Sequence, residues 1–266
     1  MPAFFYGTAW KEDATEGLVR QALAAGFRAI DTANQRKHYF EEEVGRALRA
    51  SSIPRDELFI QTKYTFQNGQ DDRLPYDPAA SIGEQVRQSF ASSLEHLGVD
   101  RIDSLVLHGP ATAHGIGELE REAWQAMESL VHEGRVRLLG ASNLAASQLA
   151  KLLDMATIAP AFIQNRCYAR MHWDRDTREV CAANDITYQA FSLLTANRGA
   201  VAHVLTHRIA ERYGCTNPQV IFRFATQLGM IPLTGSSDPE HMAQDLAIDA
   251  FELDADAMAK LRGLYA

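Results

Sequence analysis

The chain is 266 residues long, 46% hydrophobic and 23% charged, with a formal net charge of −8. Such a chain can bury its own core without staples, as one large α/β domain or two small ones. The acidic balance argues against nucleic acid as a bulk partner, and no apolar run reaches the ~20 residues of a membrane span. The opening MPAFFYGTAW carries neither a basic region nor a long apolar run, so a secretion signal is not expected. Cys167, Cys181 and Cys215 show no CxxC or Cys/His metal spacing, and their expected reduced state points to the cytoplasm.

Apolar strands then alternate with amphipathic helices. FFYG (4–7) reads as a strand that breaks at Gly7-Thr8-Ala9, and a helix over about 14–25 follows with Leu18, Ala22 and Ala25 on one face. FRAID runs through a polar loop to a helix at about 41–50. Its acidic start, Glu41 to Glu43, suits the helix dipole. LFIQTK precedes a long helix, about 79–97, in which Ile82, Val86, Phe90, Leu94 and Leu97 form one apolar stripe and Gly98 is the stop. IDSLVLH is followed by a helix with Trp124, Met127, Leu130 and Val131 that ends at Gly134. VRLLGAS leads to a helix with Leu149, Leu152 and Leu153, and AFIQN to one near 174–184. ITYQAFS leads to helical pieces around 201–213 and 217–228, and MIPLTG to a short helix and a last one at 254–264.

Most of these strands are continuous apolar runs, as strands covered on both faces require. Eight strand–helix units with no break in composition predict a single (β/α)8 barrel spanning 1–266. The segment 64–78 is the longest without predicted structure, and a loop of that length in a compact fold is usually functional.

In such a barrel the reactive groups belong at the C-terminal ends of the strands, where the loops line the open mouth. The informative polar residues fall there: Asp31, Lys63, His108, Ser142 with Asn143, Gln164, Phe191 with Ser192, and the run from Thr234 to Ser237. Tyr39 follows Asp31 within one loop, and a carboxylate, an ammonium, a phenol and an imidazole together suit proton chemistry. His96, His132, His203 and His207 fall within helices and read as surface or packing residues. A metal-dependent hydrolase would need His and Asp at several strand ends. Only Asp31 and His108 qualify and no HxH occurs, so no metal is expected.

The motifs GTAW (7–10), FRAIDTA (27–33), EEEVGRAL (41–48), TK (62–63), LHGP (107–110), GRVRLLGASN (134–143), IQNRCY (163–168), AFSLL (190–194) and IPLTGSSDPEH (231–241) occur in that order. Taken together they resemble the aldo-keto reductase family over essentially the whole chain. The resemblance implies reduction of aldehydes and ketones by hydride from a nicotinamide cofactor, without metal. It further implies Asp31, Tyr39, Lys63 and His108 as the catalytic set, with Tyr39 as the acid. A lysine ammonium beside the phenol would lower a pKa that is otherwise near ~10, and the aspartate would hold the lysine charged.

One departure stands out. The family's tyrosine lies five residues after the aspartate, and that position is Arg36 here. Tyr39 lies eight residues on, just before FEEEVG, as if the loop had about two extra residues. Tyr64 is the reserve acid, and an altered enzyme with Arg36 in the acid's place is the remaining alternative.

The same resemblance implies NADP(H) as cofactor, with NAD(H) as the substitute. Ser142, Asn143 and Gln164 would hold the nicotinamide carboxamide, Phe191 would stack on its ring, and Gly7 and Thr8 would lie nearby. Ser192 and Leu194 would approach the pyrophosphate. Thr234, Gly235, Ser236, Ser237, His241 and Asp245 would meet the adenosine end, where no fixed cation stands for a 2′-phosphate. For the small carbonyl substrate, Trp10 would form one wall, Tyr64 apolar surface, and Gly109 an opened side of the pocket; Phe66, Tyr168 and Trp173 could add to it. With a short tail after the last helix, the pocket is expected to be shallow and permissive. A nicotinamide-binding regulatory subunit of the same family is the alternative function.

Overall fold

The computed structural model describes residues 2–112 and 115–265. The expected span 1–266 therefore includes four positions outside the described residues. In chain order the elements are β1 (Phe5–Gly7), α1 (Thr15–Ala25), β2 (Ala29–Asp31), α2 (Glu41–Ala50), β3 (Phe59–Tyr64) and α3 (Ile82–Leu97). Then come β4 (Ile102–Leu107), α4 (Glu118–His132), β5 (Val136–Ser142), α5 (Ala146–Met155), β6 (Phe162–Arg166) and α6 (Arg175–Ala183). The last third holds β7 (Thr187–Phe191), α7 (Arg198–Val201), α8 (Val204–Tyr213), α9 (Asn217–Gln227), β8 (Met230–Thr234), α10 (Pro239–Leu246) and α11 (Ala255–Arg262).

The eight strands close into a barrel in sequence order. All pairings are parallel, and β1 meets β8 through Phe5 opposite Leu233 and Tyr6 opposite Thr234. This is the predicted (β/α)8 barrel. Side chains alternate across each strand, which builds two cores from one sheet. Outward residues such as Ile30, Ile60 and Ile163 pack under the helices. Inward residues Phe5, Ala29, Phe59, Phe162, Ile231 and Leu233 fill the N-terminal end of the barrel. One pleat higher the interior turns polar: Gln61, Lys63, Gln164 and Gln189 are all buried.

Helix α3 starts at Ile82, the first residue of its apolar stripe, and not near the expected 79. Ser81 takes the N-cap and accepts the Glu84 amide, and Gly98 ends the helix at φ 66, a left-handed conformation that glycine adopts at little cost. The segment 64–78 lines no part of the mouth. It contains a short helical turn, Gln67–Gly69, and serves as a brace for the loop between β2 and α2. The Gln70 side chain donates to the Asn34 carbonyl at 2.9 Å, Gln35 donates to the Gly69 carbonyl at 2.6 Å, and Arg73 donates to the Arg36 carbonyl at 2.8 Å. Its expected functional part is thus indirect: it holds the loop that carries Tyr39.

Candidate active site

Asp31 ends β2, and Lys63 lies on the neighbouring strand β3, whose Gln61 is in register with Asp31. Both side chains point into the barrel and are buried. Lys63 Nζ donates to both Asp31 carboxylate oxygens at 2.7 Å and to the Thr32 carbonyl at 2.7 Å. Burial lowers the Lys63 pKa, against the opposing pull of Asp31 and Glu41.

His108 follows β4, and its Nδ1 lies 2.7 Å from the Thr65 hydroxyl. Burial, with the Lys63 charge behind it, pushes the imidazole down to about 3. The ring is neutral at physiological pH, and Thr65 occupies Nδ1, which leaves Nε2 for another partner.

Tyr39 stands on a tight turn in which its amide donates to the Gln35 carbonyl at 3.0 Å. Its ring centroid lies 5.1 Å from Lys63 Nζ and 5.9 Å from the His108 ring. The ammonium therefore meets the face of the ring, within cation–π range, while its N–H bonds go to Asp31 and Thr32. This corrects the expectation of a lowered phenol pKa. Burial and the Asp31 carboxylate hold the Tyr39 phenol above its ordinary value.

The alternatives for the acid lie elsewhere. Arg36 points to the outside, pairs with Glu42 and lies 3.3 Å from His96 Nε2. Tyr64 faces outward from β3, packs between Phe66 and Tyr76 and has its hydroxyl 3.4 Å from Gln85 Oε1. Neither lines the mouth: Arg36 is drawn to Glu42, and Tyr64, one residue past Lys63, faces the opposite side of its strand.

A cavity of about 630 Å³ opens at the C-terminal mouth. Gly7, Trp10, Asp31, Tyr39 and His108 line one part of it. Ser142, Asn143, Gln164, Phe191, Ser192 and Leu194 line another, and Thr234, Gly235, Ser236, His241 and Asp245 the far end. Sixteen of the expected site residues thus share one cavity. Thr8 does not: it is buried, and its hydroxyl donates to the Asp31 carbonyl at 3.0 Å. Lys63 lies behind the wall. Ser237 faces solvent, while Gly109 packs against Asn143, 3.6 Å from the position its Cβ would take, so neither it nor Tyr64 is a pocket wall. Phe66 and Trp173 are core residues, and the Trp173 indole donates to the Leu261 carbonyl at 3.1 Å.

Trp10 is 70% exposed and has φ 61, strained for a bulky residue. Its ring lies 3.7 Å from that of His38, centroid to centroid. His38, Lys11 and Arg166 also line the cavity and were not anticipated. The strand period could have found Arg166, which lies two residues beyond Gln164 on the same face of β6. Its guanidinium stacks 5.5 Å over Phe191. Lys11, next to Trp10, donates to the Gly235 carbonyl across the cavity rim.

The nicotinamide site passes a test of fit. Both N–H bonds of Gln164 point inward, to Asp31 at 3.0 Å and to Gln189 at 3.1 Å, which leaves its carbonyl oxygen for a ligand amide. Asn143 donates to the His108 carbonyl at 2.8 Å and to the Ser142 hydroxyl at 3.1 Å, and Phe191 offers a half-buried ring.

A closed parallel barrel with its ionisable groups at the C-terminal mouth defines a (β/α)8-barrel enzyme architecture. The Aldo/keto reductase family model matches residues 5–266. Relatives named aldo-keto reductase from Mycobacterium avium and Mycobacterium sp. are 33% and 32% identical, over 100% and 95% of this chain and 86% and 83% of theirs. A methylglyoxal reductase of Salmonella typhimurium is 29% identical over 99% of this chain and 90% of its own. Among solved structures, an aldo-keto reductase from a deep-sea metagenome superposes with a TM-score of 0.87 at 28% identity, covering 99% of this chain and 91% of that one. The chain belongs to the aldo/keto reductase family, oxidoreductases that work with nicotinamide cofactors.

Proposed function

We propose that the protein reduces aldehydes and ketones with NADPH, using Tyr39 as the proton donor. The observation that carries this reading is the Tyr39 phenol and the His108 imidazole on one cavity wall, with the buried Asp31–Lys63 ion pair directly behind them. The bound nicotinamide would supply hydride to the carbonyl carbon. Its carboxamide would be held by Ser142, Asn143 and Gln164, with Phe191 against the ring.

The chain's own groups handle the proton. Tyr39, held protonated through the neutral range, donates a hydrogen bond to the carbonyl oxygen and passes its proton as that oxygen becomes an alkoxide, a stronger base than phenolate. The Lys63 charge behind the ring then stabilises the phenolate left behind, and Asp31 keeps that lysine charged and fixed. Neutral His108 orients the carbonyl through Nε2. Trp10 and His38 form the outer wall for the substrate.

NADPH is favoured over NADH by the family's habit, and Lys11 and Arg166 add positive charge to the cavity. A location in the cytoplasm belongs to the same reading, supported by three free cysteines.

The test is NADPH oxidation with 4-nitrobenzaldehyde and with methylglyoxal, the latter suggested by the name of the Salmonella relative. Tyr39→Phe is expected to lower kcat by roughly 10²–10⁴-fold with cofactor affinity retained. Wild-type turnover that Tyr39→Phe leaves intact would overturn Tyr39 as the acid. Tight cofactor binding without turnover on any carbonyl would favour the regulatory-subunit reading.

A further inference from the structure

We propose that Gln61 and Gln189 are positioning residues that lock the Gln164 amide with its carbonyl toward the cavity, so that this wall recognises an N–H donor on the nicotinamide. The inference rests on the reading that the cavity takes a nicotinamide cofactor.

The donor and acceptor roles follow from one fixed point. Asp31, paired with Lys63, is a carboxylate and can only accept. Gln61 and Gln164 both contact its Oδ1, at 2.7 and 3.0 Å, so each must turn its –NH2 toward it. The second N–H of each goes to the Gln189 carbonyl oxygen, at 2.9 and 3.1 Å. Gln189 in turn donates to the side-chain oxygen Oε1 of Gln61 at 3.2 Å. The circuit is closed, and no amide in it can flip alone. A flipped Gln164 would lose two hydrogen bonds and set its oxygen against two acceptors in a buried site, where unpaired polar atoms are costly.

What remains open is the side-chain oxygen Oε1 of Gln164, which receives no hydrogen bond from a described residue; the main-chain carbonyl of Gln164 is already taken by the Ser142 hydroxyl at 2.6 Å and the Asn143 amide at 3.1 Å. Gln164 lines the cavity, whereas Gln61 and Gln189 are each 0% exposed and touch no ligand space. Their placement follows strand alternation: Gln61 lies two residues before Lys63 and Gln189 two before Phe191, all directed to the barrel interior. The ion pair behind the phenol and the cofactor's amide site are therefore joined by one hydrogen-bonded layer.

The test compares equilibrium binding of NADP+ and its 3-acetylpyridine analogue, in which a methyl group replaces the carboxamide –NH2, read by quenching of tryptophan fluorescence. Wild type is expected to bind the analogue roughly three- to tenfold more weakly, the worth of one hydrogen bond. That ratio should fall toward one in Gln189→Met and further in the Gln61→Met/Gln189→Met pair, which keep side-chain bulk but not the amides. A layer that merely filled space would lower the melting temperature and leave the ratio unchanged, which would overturn the proposal. Equal binding of both ligands by wild type would overturn it as well, and this arm decides alone should the variants not fold. Wild type that binds neither ligand, nor the matching NAD+ pair, sinks the nicotinamide reading and this inference with it. Reductase activity with an unchanged ratio sinks the inference only.

Discussion

Lys63 has three N–H bonds, and Asp31 and Thr32 take them all. The lysine therefore reaches the Tyr39 ring through its charge and not through a hydrogen bond; under the proposed reduction, a phenol that keeps its proton suits the acid's part. Lys63→Met would leave the Asp31 carboxylate buried without its partner. The expected loss is about 3–5 kcal/mol of stability, read by denaturant unfolding, and adding Asp31→Asn should recover a large part of it. A Lys63→Met protein as stable as wild type would show that Asp31 finds water or another cation. Asp245 gives a second test at this scale. Burial raises its carboxyl to about 6 from 3.8. A raised carboxyl favours the folded state below pH ~4 and loses that contribution as pH climbs through ~6. The difference of about two units corresponds to roughly 3 kcal/mol. Asp245→Asn should flatten that part of the stability profile between pH 4 and 7, and an unaltered slope would mean that Asp245 is well solvated.

Between elements, the contact that matters most for the site is α2 against α3. Gly45 on α2 sits so close to the end of α3 that a Cβ there would overlap the His96 carbonyl oxygen, with the Leu97 Cα only 2.9 Å away. The close approach buries Glu41, the first residue of α2, which accepts hydrogen bonds from Thr62 and from Ser93 at 3.0 Å and lies 3.4 Å from His96 Nδ1. Glu41 is thus more than a favourable charge at a helix start, the reading its sequence position suggested. It ties α2 to β3 and α3 immediately behind Lys63. Gly45→Ala is expected to cost about 1–3 kcal/mol through overpacking, visible as a drop of several degrees in melting temperature. Unchanged stability would mean that α2 can slide outward, and the turn carrying Tyr39 with it.

Across the whole molecule, the last helix completes the barrel's outer layer. Leu261 on α11 is fully buried, and its carbonyl accepts the Trp173 indole N–H at 3.1 Å. Leu261→Ala should cost about 2–5 kcal/mol and shift tryptophan emission to the red as water reaches Trp173. Emission and melting temperature both unmoved would argue that α11 contributes little to closure. No described helix is long and apolar enough to cross a membrane.

The order of strands and helices, the closed barrel and the gathering of Asp31, Lys63 and His108 at one end were legible in the sequence. They depend on local periodicity and on the rule that parallel strands share a direction, and both are written residue by residue. The α2 bounds at Glu41–Ala50 and the stop at Gly98 were equally local. Only the folded chain placed Tyr39 on the cavity wall, Arg36 outside beside Glu42, and Tyr64 under the helices: the first two share a loop whose path no local pattern fixes, and the third turns outward by strand alternation. The tertiary structure also decided that Tyr64 and Gly109 stay off the cavity, that Lys11, His38 and Arg166 join it, and that Gln61 and Gln164 meet at Asp31 with Gln189 bridging them. Those outcomes depend on which atoms meet across strands more than a hundred residues apart, as Gln61 and Gln189 do, and a one-dimensional pattern does not record such meetings.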